Sequence, residues 1–104
     1  MCVEFFIDRN ENLYVNEIAP RVHNSGHLTI NAYNVSQFEN HVRAVCSLEK
    51  VALKKLSNAK MVNLIGNQIE PYRKNLELGK NEFFDYLKKE IKEKRKMGHI
   101  TTLL

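Results

Sequence analysis

The apolar positions change their spacing several times along the chain, and each change marks an element. Val3-Glu4-Phe5-Phe6-Ile7 and Leu13-Tyr14-Val15-Asn16-Glu17-Ile18 are short runs rich in β-branched and aromatic residues, which predict two strands. Between them Asp8-Arg9-Asn10-Glu11-Asn12 is turn chemistry, so the pair predicts a hairpin. With Asn10-Glu11 as the two central turn residues, Asp8 faces Leu13 and Glu4 faces Glu17. Opposed residues on one sheet face have Cβ atoms roughly 5 Å apart, and like charges there are destabilising. A hard divalent cation between the two carboxylates removes the conflict. Two glutamates that point into water on an exposed face are the plainer alternative. In this register Asn16 falls on the opposite face unless the strand is bulged.

Pro20 breaks the second strand, and the chain enters a loop dense in ion- and phosphate-binding groups. Arg21 is a fixed cation, and His23, Asn24, Ser25 and His27 cluster around Gly26. A polar, turn-rich loop without function is the alternative. Ser36-Gln37-Phe38-Glu39 has the form of a capping box and predicts a helix from about Gln37 to Cys46. Phe38, Val42, Val45 and Cys46 share its apolar face, with His41 beside them as a packing or surface residue. Leu48 to Leu56 reads as weakly helical or loop. Met61-Val62-Asn63-Leu64-Ile65, closed by Gly66-Asn67, reads as a buried strand, and residues 68–80, with Pro71 and Gly79, predict no element. From Asn81 the local pattern is that of an amphipathic helix, with Asn81 as cap and Phe84, Leu87 and Ile91 in line. Ile100, Thr101 and Thr102 favour a strand instead.

Composition narrows the class. A chain of 104 residues, 43% hydrophobic and 27% charged, suits a small globular protein with a modest core. No apolar run is long enough to span a bilayer, and Glu4 and Asp8 interrupt the only apolar stretch that could pass for a signal peptide. Cys2 and Cys46 have no metal-ligand spacing, so a reducing cytoplasm is expected. The net charge of +4 is uneven: residues 1–49 carry three Lys/Arg against six Asp/Glu, and residues 50–104 carry thirteen against six. A basic second half suggests an anionic partner, with a solvated lysine-rich face as the bland alternative. The lack of aromatic interleaving or a base-reading motif argues against nucleic acid.

Five motifs in order then carry a resemblance. Asn16-Glu17-Ile18-Ala19-Pro20-Arg21, His23-Asn24-Ser25-Gly26-His27, Ser36-Gln37-Phe38-Glu39, Met61-Val62-Asn63-Leu64-Ile65-Gly66 and Arg95-Lys96-Met97-Gly98-His99 resemble the 5-(carboxyamino)imidazole ribonucleotide synthases. These are the ATP-grasp, ATPase subunits of phosphoribosylaminoimidazole carboxylase. The resemblance covers nearly the whole chain but only the last third or so of the family's length. It implies an α+β fold: residues 1–57 as the end of an ATP-grasp domain, a β-hairpin plus helix, and residues 58–104 as a small β-rich C-terminal domain. It implies a ligase of purine biosynthesis in which ATP activates bicarbonate as carboxyphosphate and aminoimidazole ribonucleotide takes up the carboxyl group. Mg²⁺ would bridge the ATP phosphates and Glu4 and Glu17, with Asn16 beside them as a nucleotide-site residue. Arg21 would act at the catalytic side of the pocket, and Lys88 and Arg95 would hold the ribonucleotide phosphate. Partners by resemblance are those substrates and a second copy of the chain, in the cytoplasm, with neither nucleic acid nor membrane.

The resemblance also turns residues 83–104 into strand, tight charged turn and strand, against the local helical pattern. Several family positions are altered. Leu87 stands where the family has the glycine of Tyr-Gly-Lys, Glu11 where it has the glycine of an Asn-Gly turn, Val22 where a proline is usual and Lys92 where an arginine is usual. The adenine pocket and the lysines over the ATP phosphates have no counterpart here, so the 104 residues alone are expected to lack carboxylation activity. A degenerate remnant, or a basic module without enzymatic activity that binds polyanions, are the alternatives.

Overall fold

The computed structural model describes residues 1–74 and 81–104, so Gly79 lies outside the described residues. The chain divides into two compact units, Met1–Lys55 and Leu56–Leu104. In the first, β1 (Cys2–Ile7) and β2 (Leu13–Ala19) form an antiparallel hairpin, followed by a 3₁₀ turn at Asn24–Gly26, α1 (Thr29–Ala32) and α2 (Gln37–Val45). In the second, β3 (Ala59–Ile65), a 3₁₀ turn at Gly66–Ile69, α3 (Glu70–Lys74), β4 (Asn81–Asp85) and β5 (Lys96–Leu103) follow in order. Their three strands make one sheet in the order β3-β5-β4, antiparallel throughout. The fold is α+β, as expected.

The hairpin turn is one residue longer than predicted. The Asp8 N–H donates to the Asn12 carbonyl at 3.1 Å, which leaves Arg9-Asn10-Glu11 as a three-residue loop. Asp8 Oδ1 accepts from the Asn10 and Asn12 N–H groups at 2.8 and 2.9 Å, fixing the turn from within. The Asn12 side-chain amide, first among these hydrogen bonds, holds the Asp8 carboxyl below its ordinary range. Glu11 takes a φ of 63°, the left-handed conformation that three-residue hairpin loops require at this position. The longer turn shifts the register by one, pairing Ile7 with Leu13, Phe6 with Tyr14 and Phe5 with Val15. A bulge at Asn16 shifts it back, so that Glu4 faces Glu17 and Val3 faces Ile18. Two offsets of one residue cancel.

Ser36 caps α2 by accepting from the Glu39 N–H at 3.1 Å. Glu39 does not complete the predicted box: its carboxylate reaches Arg43, one turn on, at 2.8 Å. The apolar stripe is exposed, with Phe38, Val42 and Val45 at 39, 54 and 70%, and no residue of α2 is buried. The hairpin is similar, since Phe5, Phe6, Ile7, Tyr14 and Val15 are all at least half exposed. Leu48 to Leu56 has no helix; the Asn34 side-chain amide donates to the Ala52 carbonyl and accepts the Lys54 N–H, and the Asn34 N–H donates to the Lys54 carbonyl.

The second unit has a small but closed core of Leu64, Ile69 and Met97, covered by Tyr72, Phe83, Ile91 and Ile100. Ile69 and Met97 are fully buried, and each such side chain contributes about 1.5–3 kcal/mol. The central strand is β5. β3 is an edge strand with only Leu64 buried, not the buried strand that its apolar run suggests. Pro71 sits in the first turn of α3, where no N–H is needed. The hairpin expectation for residues 83–104 holds over the helical one: β4 pairs with β5 from Asn81↔Thr102 to Asp85↔Gly98. The connection is ten residues, 86–95, rather than a tight turn. Residues of the apparent helical stripe are put to different uses, with Phe84 stacked on His99, Ile91 half-buried against the core and Leu87 82% exposed.

Candidate functional site

The first cluster lies on the hairpin and the loop after Pro20. Glu4 and Glu17, partners across the strands, share one face of the pair. The bulge turns Asn16 to that face as well, and its amide nitrogen donates to Glu4 Oε1 at 3.0 Å. His23 stands between the carboxylates, with Nδ1 3.6 Å from Glu4 Oε2 and Nε2 3.6 Å from Glu17 Oε1. The position needing a cation is thus spanned by one imidazole, a ring that sequence alone could only count among the loop's polar residues.

Gln37 holds that loop. Its side chain accepts from the His23 N–H at 3.0 Å and donates to the His23 carbonyl at 2.7 Å, closing on one backbone residue from both sides. The same amide nitrogen contacts His27 Nδ1 at 2.6 Å. A Cβ on Gly26 would fall 2.6 Å from the Gln37 oxygen, which explains the glycine. Ser25 completes the turn, its N–H donating to His23 Nδ1 at 3.3 Å and its hydroxyl lying 2.8 Å from the same nitrogen. Ser25 and His27 are therefore engaged in shaping the loop. No local signal singles out Gln37, because a glutamine after a helix cap is ordinary. Arg21 is exposed, donates to the Val22 carbonyl at 2.9 Å, and lines a cleft of about 230 Å³ with Gln37, Asn40 and His41.

Among the described residues no group of three or more His, Cys, Asp or Glu is arranged to hold a metal by itself. A Mg²⁺ site that uses one or two carboxylates and completes its shell with phosphate oxygens needs no such group. Two facing carboxylates, partly open at 36 and 51%, and an amide on the same face fit that kind of ion.

The second cluster lies on the 86–95 connection. Lys88 Nζ donates to the Lys96 carbonyl at 2.6 Å, next in sequence to Arg95, and lies 5.4 Å from the centre of the Tyr86 ring. The Tyr86 hydroxyl lies 2.8 Å from Nδ1 of the buried His99. The Arg95 backbone is held at both ends, its N–H on the Lys92 carbonyl and its carbonyl receiving the Gly66 N–H, both at 2.9 Å. Gly66, at φ 55°, packs so closely that a Cβ would meet the Glu93 carbonyl oxygen at 2.8 Å. The hairpin thus brings Lys88 and the Arg95 segment together. His99 and Met97 in the same motif serve the core.

Leu87 sits in the left-handed region, at φ 53°. Left-handed backbone costs a residue with a Cβ about 1–2 kcal/mol, whereas glycine loses about 0.5–1 kcal/mol in chain entropy. Leu87→Gly should therefore stabilise the second unit by about 0.5–1 kcal/mol, seen as a higher urea midpoint. An unchanged or lower midpoint would contradict this account of the turn.

Arg73, in a segment that gave no sequence signal, grips Asp85 with two nitrogens at 2.6 and 2.9 Å. Those hydrogen bonds, with the Leu87 N–H on Asp85 Oδ1 at 2.8 Å, hold the Asp85 carboxyl below its ordinary value of 3.8. The same pairing raises Arg73. A depressed carboxylate contributes stability above its unfolded value and loses it as pH falls through the folded value. Melts of the wild type and Asp85→Asn should therefore differ at pH 6 and converge below pH 3.8; a constant gap would show that the pair is not the cause.

The class follows from the two units in order. Residues 1–38 match the ATP-grasp domain family, and residues 59–104 match the phosphoribosylaminoimidazole carboxylase C-terminal domain. Over nearly its whole length the chain is similar to a C-terminal portion of the N5-carboxyaminoimidazole ribonucleotide synthases. It is 46% identical to the Bacillus subtilis enzyme of that name over 102 residues, 97% of this chain and 27% of that protein. The Staphylococcus aureus N5-carboxyaminoimidazole synthetase structure superposes with a TM-score of 0.88 at 45% identity, covering 98% of this chain and 28% of that one. The Aspergillus clavatus synthase, solved with ADP and 5-aminoimidazole ribonucleotide, gives 0.87 at 34% identity, covering 98% and 29%. The chain spans a little over a quarter of the length of these relatives. Among the described residues no helix is long and apolar enough to cross a membrane.

Proposed function

We propose that this chain supplies the C-terminal part of a cytoplasmic ATP-dependent ligase that carboxylates 5-aminoimidazole ribonucleotide with bicarbonate, through carboxyphosphate. The observation that carries the reading is the pairing of Glu4 with Glu17, with Asn16 bulged onto the same face. Residues 1–57 are assigned to the ATP-grasp part and 58–104 to the small C-terminal domain, in a homodimer. Glu4 and Glu17 would hold Mg²⁺, and Asn16, which orients Glu4 by donating to its Oε1, would offer its amide oxygen. The ion supplies charge neutralisation for the phosphoryl group being transferred. Arg21, exposed at its cleft, faces the reacting anion, while Lys88 and Arg95 hold the ribonucleotide phosphate as point charge and fork.

Mn²⁺ tests the metal assignment on the chain itself, since it takes the same oxygen ligands and broadens nearby NMR signals. Titration should broaden Glu4, Asn16 and Glu17 first, and Glu17→Gln should abolish the selectivity. Broadening spread evenly over all surface carboxylates would reject the site.

A further inference from the structure

Lys88 follows a strained residue on a long connection, so something must fix where its ammonium points. Two side chains do so from outside that connection. Arg73, from α3, holds Asp85 through two hydrogen bonds, and its Nη2 reaches the Lys88 carbonyl at 3.5 Å. Asp85 in turn accepts the Leu87 N–H at 2.8 Å. The left-handed turn at Leu87 is thereby bracketed on both sides, at its own N–H and at the carbonyl of the next residue. Asp85 is half-buried, at 18% side-chain exposure, Arg73 stands at the surface at 31%, and their fork geometry is more directional than a lysine would allow. Beyond the turn, the Lys88 side chain runs past the Tyr86 ring and ends on the Lys96 carbonyl.

We infer that Arg73 and Asp85 are positioning residues for the phosphate site: their ion pair locks the Leu87 turn so that Lys88 is presented beside Arg95 to a sugar phosphate monoester. The inference rests on the assignment of Lys88 and Arg95 to that phosphate. Arg73 does not act through its own charge on the ligand, because its fork is committed to Asp85. The pair also lets leucine occupy a position that favours glycine, since the turn is held by hydrogen bonds at the cost of backbone strain.

Ribose 5-phosphate binding to the 104-residue chain, followed by ³¹P NMR well below the melting temperature, separates positioning from charge and from folding. Asp85→Asn removes a negative charge near the site, so bulk electrostatics predicts tighter binding of an anion and positioning predicts weaker binding. The expected result is affinity lowered roughly tenfold, as when one charge-assisted hydrogen bond is misplaced. Arg73→Lys, which keeps the charge but not the fork, should weaken binding similarly. Arg73→Gln combined with Lys88→Ala should bind no worse than Lys88→Ala alone, because residues acting through one another are not additive. If Lys88→Ala weakens binding while Asp85→Asn binds as well or better, or if the Arg73 and Lys88 effects add, the positioning role is overturned and the phosphate site stands. If Lys88→Ala binds like the wild type, the phosphate assignment fails and the inference falls with it.

Discussion

Gly98→Ala should destabilise the second unit by about 3 kcal/mol, at the upper end for an added methyl group in a packed site. A Cβ on Gly98 would collide with the Phe84 carbonyl oxygen and come within 3.2 Å of the Ile69 side chain. Neither neighbour has room to yield. Phe84 lies in β4, paired with β5, and its ring is stacked on His99 at 4.8 Å. Ile69 is fully buried in the core. β5 itself lies between β3 and β4 and cannot shift without breaking one ladder. At roughly 0.1 kcal/mol per residue, a unit of this size has only about 5 kcal/mol of stability, so the substitution removes more than half. The urea midpoint of the second unit reads the effect, and a midpoint equal to the wild type would refute the close-approach argument. The prediction also explains why the Met-Gly-His run is structural although it borders the proposed phosphate site.

Glu17→Gln should separate function from stability. Within a complete ATP-grasp ligase carrying this segment, losing one of the two carboxylates proposed to hold the metal should remove several kcal/mol of transition-state charge stabilisation, a fall in kcat of roughly 100-fold or more. Folding should move the other way or not at all. Facing like charges cost a strand pair about 0.2–1 kcal/mol, and the glutamine removes that repulsion while keeping the shape. A residue kept for structure alone would lose stability and activity together. A Glu17→Gln protein that melts earlier and keeps its kcat would therefore remove the metal role. Glu4→Gln should behave alike for the rate, but it also weakens the acceptor for the Asn16 amide.

The sequence by itself determined much of the first unit's local structure. Runs of β-branched and aromatic residues with turn chemistry between them located β1 and β2, Ser36 located the start of α2, and the facing of Glu4 and Glu17 followed from counting residues across a turn. That counting used the wrong turn length and missed the bulge, and the two cancelled. The family resemblance, rather than the pattern, separated hairpin from helix in residues 83–104. It also marked Leu87 and Glu11 as misplaced, and both have positive φ.

Tertiary structure decided the rest, for reasons of distance and energy. Helix propensities among ordinary residues differ by at most about 0.7 kcal/mol each, so burial of Met97 and Ile91 and a full ladder on β5 outweigh a helical stripe. His23 meets the two carboxylates only because Gln37, fourteen residues away, clasps its backbone. Arg73 meets Asp85 across twelve residues. Local pattern carries no term for such partners, because a side chain's neighbours at these separations are fixed by how the elements pack and not by which residues stand beside it in the chain.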